Sequence, residues 1–232
     1  MDLSVKANPR RRLLVRPLPA YRVGDVALFL VWAILGASQL SRVFADVRDG
    51  DLLATIHHGI IVAVYAVNAT LFLLRGPAKV RGAGVRPRLI AFLGTWMVAP
   101  LGVLPLTWRP DWLLATTTIG LIAIYAFAVW ALLTLRRNFS IFPEARHLVR
   151  HGPYALVRHP LYAVYIGVYV LIALPRIGPA ALILAGLGIA GEIMRALNEE
   201  RVLRGAFPEY EGYAAATPRF WPRLGNLGLG RG

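Results

Sequence analysis

The stretch LYAVYIGVYVLIALPRIGPAALILAGLGIAGEIM, residues 161–194, decides the fold. Apart from Arg176 it holds no charge until Glu192. Roughly 20 apolar residues cross a bilayer core of about 30 Å, so the stretch is too long for one crossing. Pro175, Gly178 and Pro179 cut it near its middle. Each half has about 14–15 residues and covers roughly 21–23 Å as a helix. The sequence therefore predicts a tight helical hairpin that dips into the membrane and returns.

Working outward, residues 26–40, 52–74, 89–106 and 112–135 are nearly free of charge and of membrane-crossing length. Extending the first to 24–45 includes one charge, Arg42. The expected architecture is all-α: four transmembrane helices, the hairpin, and a cytoplasmic amphipathic helix and tail. The composition agrees, with 57% hydrophobic and 16% charged residues, the latter well below the share of a soluble domain. Cysteine is absent from the 232 residues, which excludes disulfides, thiolate metal sites and thiol nucleophiles.

The net charge of +14 gains meaning from its distribution. Of the 26 lysines and arginines, only Arg42, Arg48, Arg109 and Arg176 fall on one side of the predicted spans. The rest lie in the N-terminal segment, in the loops after the second and fourth spans, and in the tail. That asymmetry is the positive-inside pattern and predicts a multi-pass protein of the cell (inner) membrane with both termini cytoplasmic. Cations facing anionic headgroups account for the basicity without nucleic acid. The N-terminus shows no apolar core followed by a cleavage site, so no cleaved signal peptide is expected.

Three features of the apolar part invite a functional reading that the physics does not favour. Gly186, Gly188 and Gly191 match a dinucleotide-binding glycine pattern, but no strand precedes them. Close helix packing through Gly186 and Ala190 is the better expectation. His57 and His58 are adjacent and point about 100° apart on a helix, so they cannot share a metal as an i, i+4 pair does. A hydrogen-bonded packing role is expected for them, and an interhelical hydrogen bond for Asn68. No metal site is expected.

Polar chemistry concentrates in 136–162 and from Glu192 onward. Pro160 suits the first turn of a helix, where its missing N–H costs nothing. Arg158 and His159 then stand at the helix start, where unpaired amides and the dipole favour an anion. In the tail, good helix formers run from 190 to 206 and stop before Pro208. Arg195 and Glu199 are four apart and share a face, with Glu192 one turn earlier, whereas Glu200 points elsewhere. The plain alternative is an interfacial helix with a surface ion pair, and Tyr210, Tyr213, Phe220 and Trp221 fit an interfacial belt.

Taken in order, Gly152, Tyr154, Arg158, His159, Pro160 and Tyr162, then the hairpin, then Arg195, Glu199, Glu200, Leu203, Tyr210, Tyr213, Pro218 and Arg219 form one pattern. It resembles the isoprenylcysteine carboxyl methyltransferase family over roughly 136–223, and phospholipid N-methyltransferases share much of it. The resemblance implies an integral membrane enzyme that takes methyl from S-adenosylmethionine without a dinucleotide-binding domain. By position it implies cofactor contacts from His147, Leu148, Val149, Tyr154, His159, Pro160, Leu161, Tyr162 and Glu199. It places Arg195 toward the methyl acceptor; Arg195 and Arg158 are the expected catalytic residues.

On this basis the chain is expected to be a single membrane domain, 1–232. Its parts are an N-terminal cytoplasmic segment 1–23, four spans in 24–135, and a cofactor-binding catalytic region 136–232 around the hairpin 161–194. The expected substrate is a lipophilic small molecule, with a carboxylate or other oxygen nucleophile held by Arg195. Membrane lipid is the expected surrounding partner. Two competing readings stand beside it. Membrane sterol and steroid reductases have a similar Arg-His-Pro element and bind NADPH, though Glu199–Glu200 and Leu161 favour the methyl donor. A non-enzymatic module for lipid or partner binding gives no reason for the Arg195–Glu199 arrangement near Arg158 and His159.

Overall fold

The computed structural model describes residues 18–74, 80–81, 85–138, 144–145 and 147–222. The basic residues within 1–17, 75–79 and 223–232, together with Pro143 and Arg146, lie outside the described residues. The helices are α1 (Leu18–Asp49), α2 (Leu52–Leu74), α3 (Val85–Trp96), α4 (Val98–Gly102), α5 (Asp111–Leu135), α6 (Pro153–Leu156), α7 (Pro160–Ala173), α8 (Pro179–Ala206) and α9 (Tyr210–Ala216). Among the described residues, one two-residue antiparallel bridge, Val80–Arg81 against Glu144–Ala145, interrupts an otherwise all-α architecture.

Among the described residues, four helices are long and apolar enough to cross a membrane: Val23–Asp49, Leu52–Leu74, Asp111–Leu135 and Pro179–Ala206. Their outward faces are apolar, with Ile34, Phe44, Ile119, Leu182 and Leu187 all exposed. A soluble surface would not carry such continuous apolar exposure, and a bilayer satisfies it.

The number of long apolar helices equals the number expected, but its membership differs. The run 89–106 is not one span: it breaks at Met97 into α3 and α4, with Pro100 inside the second piece. In its place α8 continues through the second hairpin arm into the expected tail helix without a break. At 1.5 Å per residue its 28 residues reach about 42 Å. The expected short arms end the apolar stretch at Met194, just before Arg195. Glu192 and Arg195 are buried against neighbouring helices, and no interruption follows.

Packing runs in the spatial order α1, α2, α5, α7, α8, α3, with α4 wedged on α7 and α8. Phe72, Leu121, Ala131, Leu132 and Val164 form part of the core shared by α2, α5 and α7. Small residues let α8 come close to its neighbours. A Cβ at Gly188 would lie 2.3 Å from the Tyr169 ring, and Gly191 meets Gly94 backbone to backbone. Gly186, in contrast, faces open space. The helix-packing expectation is therefore met by Gly188 and Gly191 rather than by Gly186.

His58 bonds Asp46 across α1 and α2, Nδ1 to Oδ2 at 2.6 Å, with the His57 ring alongside. Asn68 differs from expectation: its amide donates to Val64 O of its own helix. At that position the i−4 carbonyl is the nearest acceptor, so the bond closes within α2.

Candidate active site

The end of α2, the starts of α3 and α7, and the ends of α5 and α8 meet at one end of the bundle. Pro160 opens α7 with His159 as its N-cap residue. The Arg158 N–H donates to Pro218 O at 2.8 Å and the His159 N–H to Arg219 O at 3.0 Å. The chain after α9 thus lies along the segment before α7 and takes up amides the sequence left open for an anion.

The anion at this helix start is supplied by the protein itself. Glu200 has no solvent exposure and gathers the cations of both segments. Its Oε1 accepts from Arg219 Nε at 2.8 Å and lies 3.2 Å from both Arg158 Nη1 and His159 Nε2. Its Oε2 accepts from Arg219 Nη2 at 3.0 Å and from Arg204 Nη2 at 3.4 Å. A buried carboxylate is tolerated only when so paired. Glu200, expected to point elsewhere, is the residue the sequence reading missed. Its signal was available: three basic residues of the same pattern, Arg158, His159 and Arg219, needed one common counter-charge.

Glu199 faces the other way along α8. Its Oε2 accepts the Tyr162 hydroxyl proton at 2.7 Å. Tyr162 stacks on His159 with ring centroids 5.4 Å apart, and Arg195 Cζ lies 4.9 Å from the Tyr162 centroid. His159 and Glu199 are therefore joined through one aromatic ring, that of Tyr162. Arg195 takes a different ion partner from the one expected. Its Nη1 donates to both Glu192 oxygens, at 3.0 and 2.9 Å, and both side chains are buried. The i, i+3 spacing on the side of α8 facing α3 wins over i, i+4, and Gly94 opposite leaves the room: a Cβ there would come within 2.9 Å of Arg195 Cδ.

Beneath this layer Tyr213 donates to Tyr154 O at 2.6 Å, and Tyr210 packs edge-on against Tyr213. Both tail tyrosines are buried, so they belong to the site's floor rather than to an interfacial belt; Trp221 stays exposed. Burial pushes the Tyr210 hydroxyl up to about 12. Tyr154 is raised well above its ordinary value by burial and then by the Glu199 charge. The hydrogen bond to Glu200 holds Arg219 above the usual guanidinium range.

Of the residues singled out in the sequence, Tyr154, Arg158, His159, Pro160, Leu161, Tyr162, Arg195 and Glu199 come together here. Leu148 and Val149 are half-buried, Val149 against the core, while His147 is exposed. Among the described residues no hydrogen bond or ion pair joins His147 to the cluster. Nor, among them, do three His, Cys, Asp or Glu side chains gather as metal ligands would.

The profile of the isoprenylcysteine carboxyl methyltransferase family matches residues 114–204, the span that contains α7, most of α8 and both carboxylates of the site. Over residues 114–204 the chain is similar to this family. Two curated proteins are similar to the chain. It is 32% identical over 123 residues to a cobalt-zinc-cadmium resistance protein, CzcN, of Cupriavidus metallidurans, covering 51% of this chain and 53% of that protein. It is 32% identical over 125 residues to a nickel-cobalt-cadmium resistance protein, NccN, of Alcaligenes xylosoxydans xylosoxydans, covering 50% and 55%. The chain thus spans about half the length of the curated relatives it matches.

Proposed function

We propose that the protein is a single-domain membrane enzyme that transfers methyl from S-adenosylmethionine to an oxygen nucleophile on a lipophilic molecule. The site faces the cytoplasm, from the bias of basic residues toward that end, in the cell (inner) membrane. One observation carries the reading: within the family-matched region, Tyr162–Glu199 and Arg195–Glu192 lie side by side beneath the Arg158, His159 and Glu200 cluster.

The residues present fit the methyl donor. Glu199 is half-buried and, among the described residues, accepts one hydroxyl bond, so it retains acceptor capacity for a polar or cationic group. Tyr154, His159, Pro160, Leu161 and Tyr162 supply a dry, largely aromatic wall. Bound there, the donor supplies an already activated methyl group on a sulfonium. What remains for the chain is positioning and exclusion of water. Pro160 and His159 fix the wall by locking the start of α7. Glu200 holds the two chain segments together, with Arg158 as one of its clamps. Arg195, pinned between Glu192 and the Tyr162 ring, presents positive charge toward the acceptor side.

The relatives are named for metal resistance, and methylation of a membrane component is compatible with such a role. The test uses detergent-solubilised full chain: equilibrium binding of S-adenosylmethionine and of NADPH, followed by labelled-methyl transfer to a panel of lipophilic acids, alcohols and amines. Saturable binding of the first, none of the second, and label in a lipid-soluble product are expected. Binding of NADPH alone overturns the proposal.

A further inference from the structure

Between α3 and α8 lies a cleft of about 230 Å³ whose lining includes none of the site's residues. Pro87 and Ile90 of α3 and Met194 and Leu197 of α8 give it apolar walls, and Arg86 and Arg201 bring one cation from each helix. The two helices run antiparallel here. Gly94 meets Gly191 backbone to backbone, and earlier residues of α3 line the cleft with later residues of α8. Counted from Pro179, the first residue of α8, Met194 and Leu197 stand about 22–27 Å along the helix and Arg201 about 33 Å. With a hydrocarbon core of about 30 Å, the apolar walls lie at the depth of acyl chains and the arginine at the headgroups.

Both arginines are exposed, and among the described residues neither pairs with a carboxylate. Arg158, Arg195, Arg204 and Arg219, at the same end, each hold Glu192 or Glu200 instead. Arg201 Nη1 donates to Asn198 Oδ1 at 3.2 Å, which steadies the guanidinium on its own helix and leaves most of its N–H groups for a ligand. We propose that the cleft binds the headgroup phosphate of one anionic phospholipid, held between Arg86 and Arg201, with the acyl chains along Ile90, Met194 and Leu197. Guanidinium groups match the planar oxygen pairs of a phosphate and form charge-assisted bonds to it. No carboxylate lines the cleft, so a headgroup without an ammonium group is favoured over a zwitterionic one, which would bring a third cation. The volume is below the roughly 300–1,000 Å³ that encloses a small molecule, so the headgroup enters and the chains stay in the bilayer. A free phosphate would leave the apolar walls unfilled. The bound phosphate ties α3 to α8 close to where Gly94 makes room for Arg195.

The experiment needs no methyl donor and is independent of the methyl-transfer reading. Delipidated full chain in detergent is titrated with dioleoylphosphatidylglycerol and with dioleoylphosphatidylcholine, which differ only in headgroup, and native mass spectrometry counts the lipid bound. The wild type is expected to bind the anionic lipid at least about tenfold more tightly. Arg86→Gln and Arg201→Gln are each expected to weaken it about tenfold, through loss of a charge-assisted bond. Arg150→Gln removes an equal charge from an exposed position outside the cleft and is expected to stay within about twofold, which separates a built site from general attraction to a basic surface. The anionic lipid raises the melting temperature of the wild type and not that of the doubly substituted Arg86→Gln, Arg201→Gln protein. Equal affinity for the two lipids overturns the proposal, and so does an equal loss in all three single variants. Displacement of the lipid by inorganic phosphate at matching concentration also overturns it, since the ligand would then be free phosphate. If a variant does not fold, the wild-type headgroup preference and the phosphate competition decide.

Discussion

Arginine closes both ends of the bundle, but on opposite kinds of partner. At the far end Arg176 reaches backbone carbonyls: Leu104 O at 3.1 Å, Ile172 O at 3.0 Å and Gly102 O at 3.2 Å. Thr107 and Trp108 add two amide bonds to Pro175 O. Gly102 O and Ile172 O belong to the last turns of α4 and α7, where a helix end leaves carbonyls unpaired, and Leu104 O and Pro175 O lie just beyond them; a cation there also complements the dipoles. At the site end the arginines meet buried carboxylates, and each carboxylate serves a different task. Glu200 ties chain segments, Glu192 holds Arg195, and Glu199, among the described residues, accepts a tyrosine hydroxyl. Carbonyl partners are fixed by the fold and admit no exchange. Carboxylate partners can be traded for a ligand or a proton, and that is the physical difference between a seam and a site.

The sharpest way to break this comparison is to remove the hub of the site end. Glu200→Gln leaves Arg158, His159 and Arg219 without their common counter-charge and is expected to destabilise by about 3–5 kcal/mol. Thermal unfolding in detergent reads this directly, and a melting temperature equal to wild type would dissolve the assigned role. Arg195→Ala is expected to lower methyl transfer on the order of 10²–10³-fold while S-adenosylmethionine affinity stays within about threefold. Parallel loss of both would move Arg195 out of the acceptor side. At the far end, Arg176→Ala is expected to cost about 1–3 kcal/mol of stability, from hydrogen bonds of a charged donor, with donor affinity unchanged. An effect on binding there would mean that the two ends are coupled. Smallest is Tyr162→Phe, which removes one hydrogen bond to Glu199 and is expected to weaken donor binding about tenfold, seen in the same binding titration.

The membrane character and the hairpin were legible because length and charge-free runs are one-dimensional properties. The break of 89–106 at Met97 was not, because the run stays apolar across it and only packing on α7 and α8 separates α3 from α4. That Tyr154 through Glu199 form one ordered pattern was legible, and the structure brings these residues into one cluster. Their partners were not legible. Whether Arg195 turns to Glu192 or Glu199 depends on α3 bringing a glycine, Gly94, opposite it, a contact between residues distant along the chain. Glu200 was lost for the same reason: on a helix drawn alone it points away from Arg195, and only the return of residues 218–219 along the start of α7 makes that direction an interior one.

The central claim is that residues 154–162 and 192–200 converge into a site for a sulfonium methyl donor. Titration of S-adenosylmethionine into the solubilised wild type and its Glu199→Gln variant tests it most directly. Saturable binding by the wild type, weakened at least about tenfold in the variant with its melting temperature retained, is the predicted result. Equal affinity in the two proteins, or no binding by either, would contradict it.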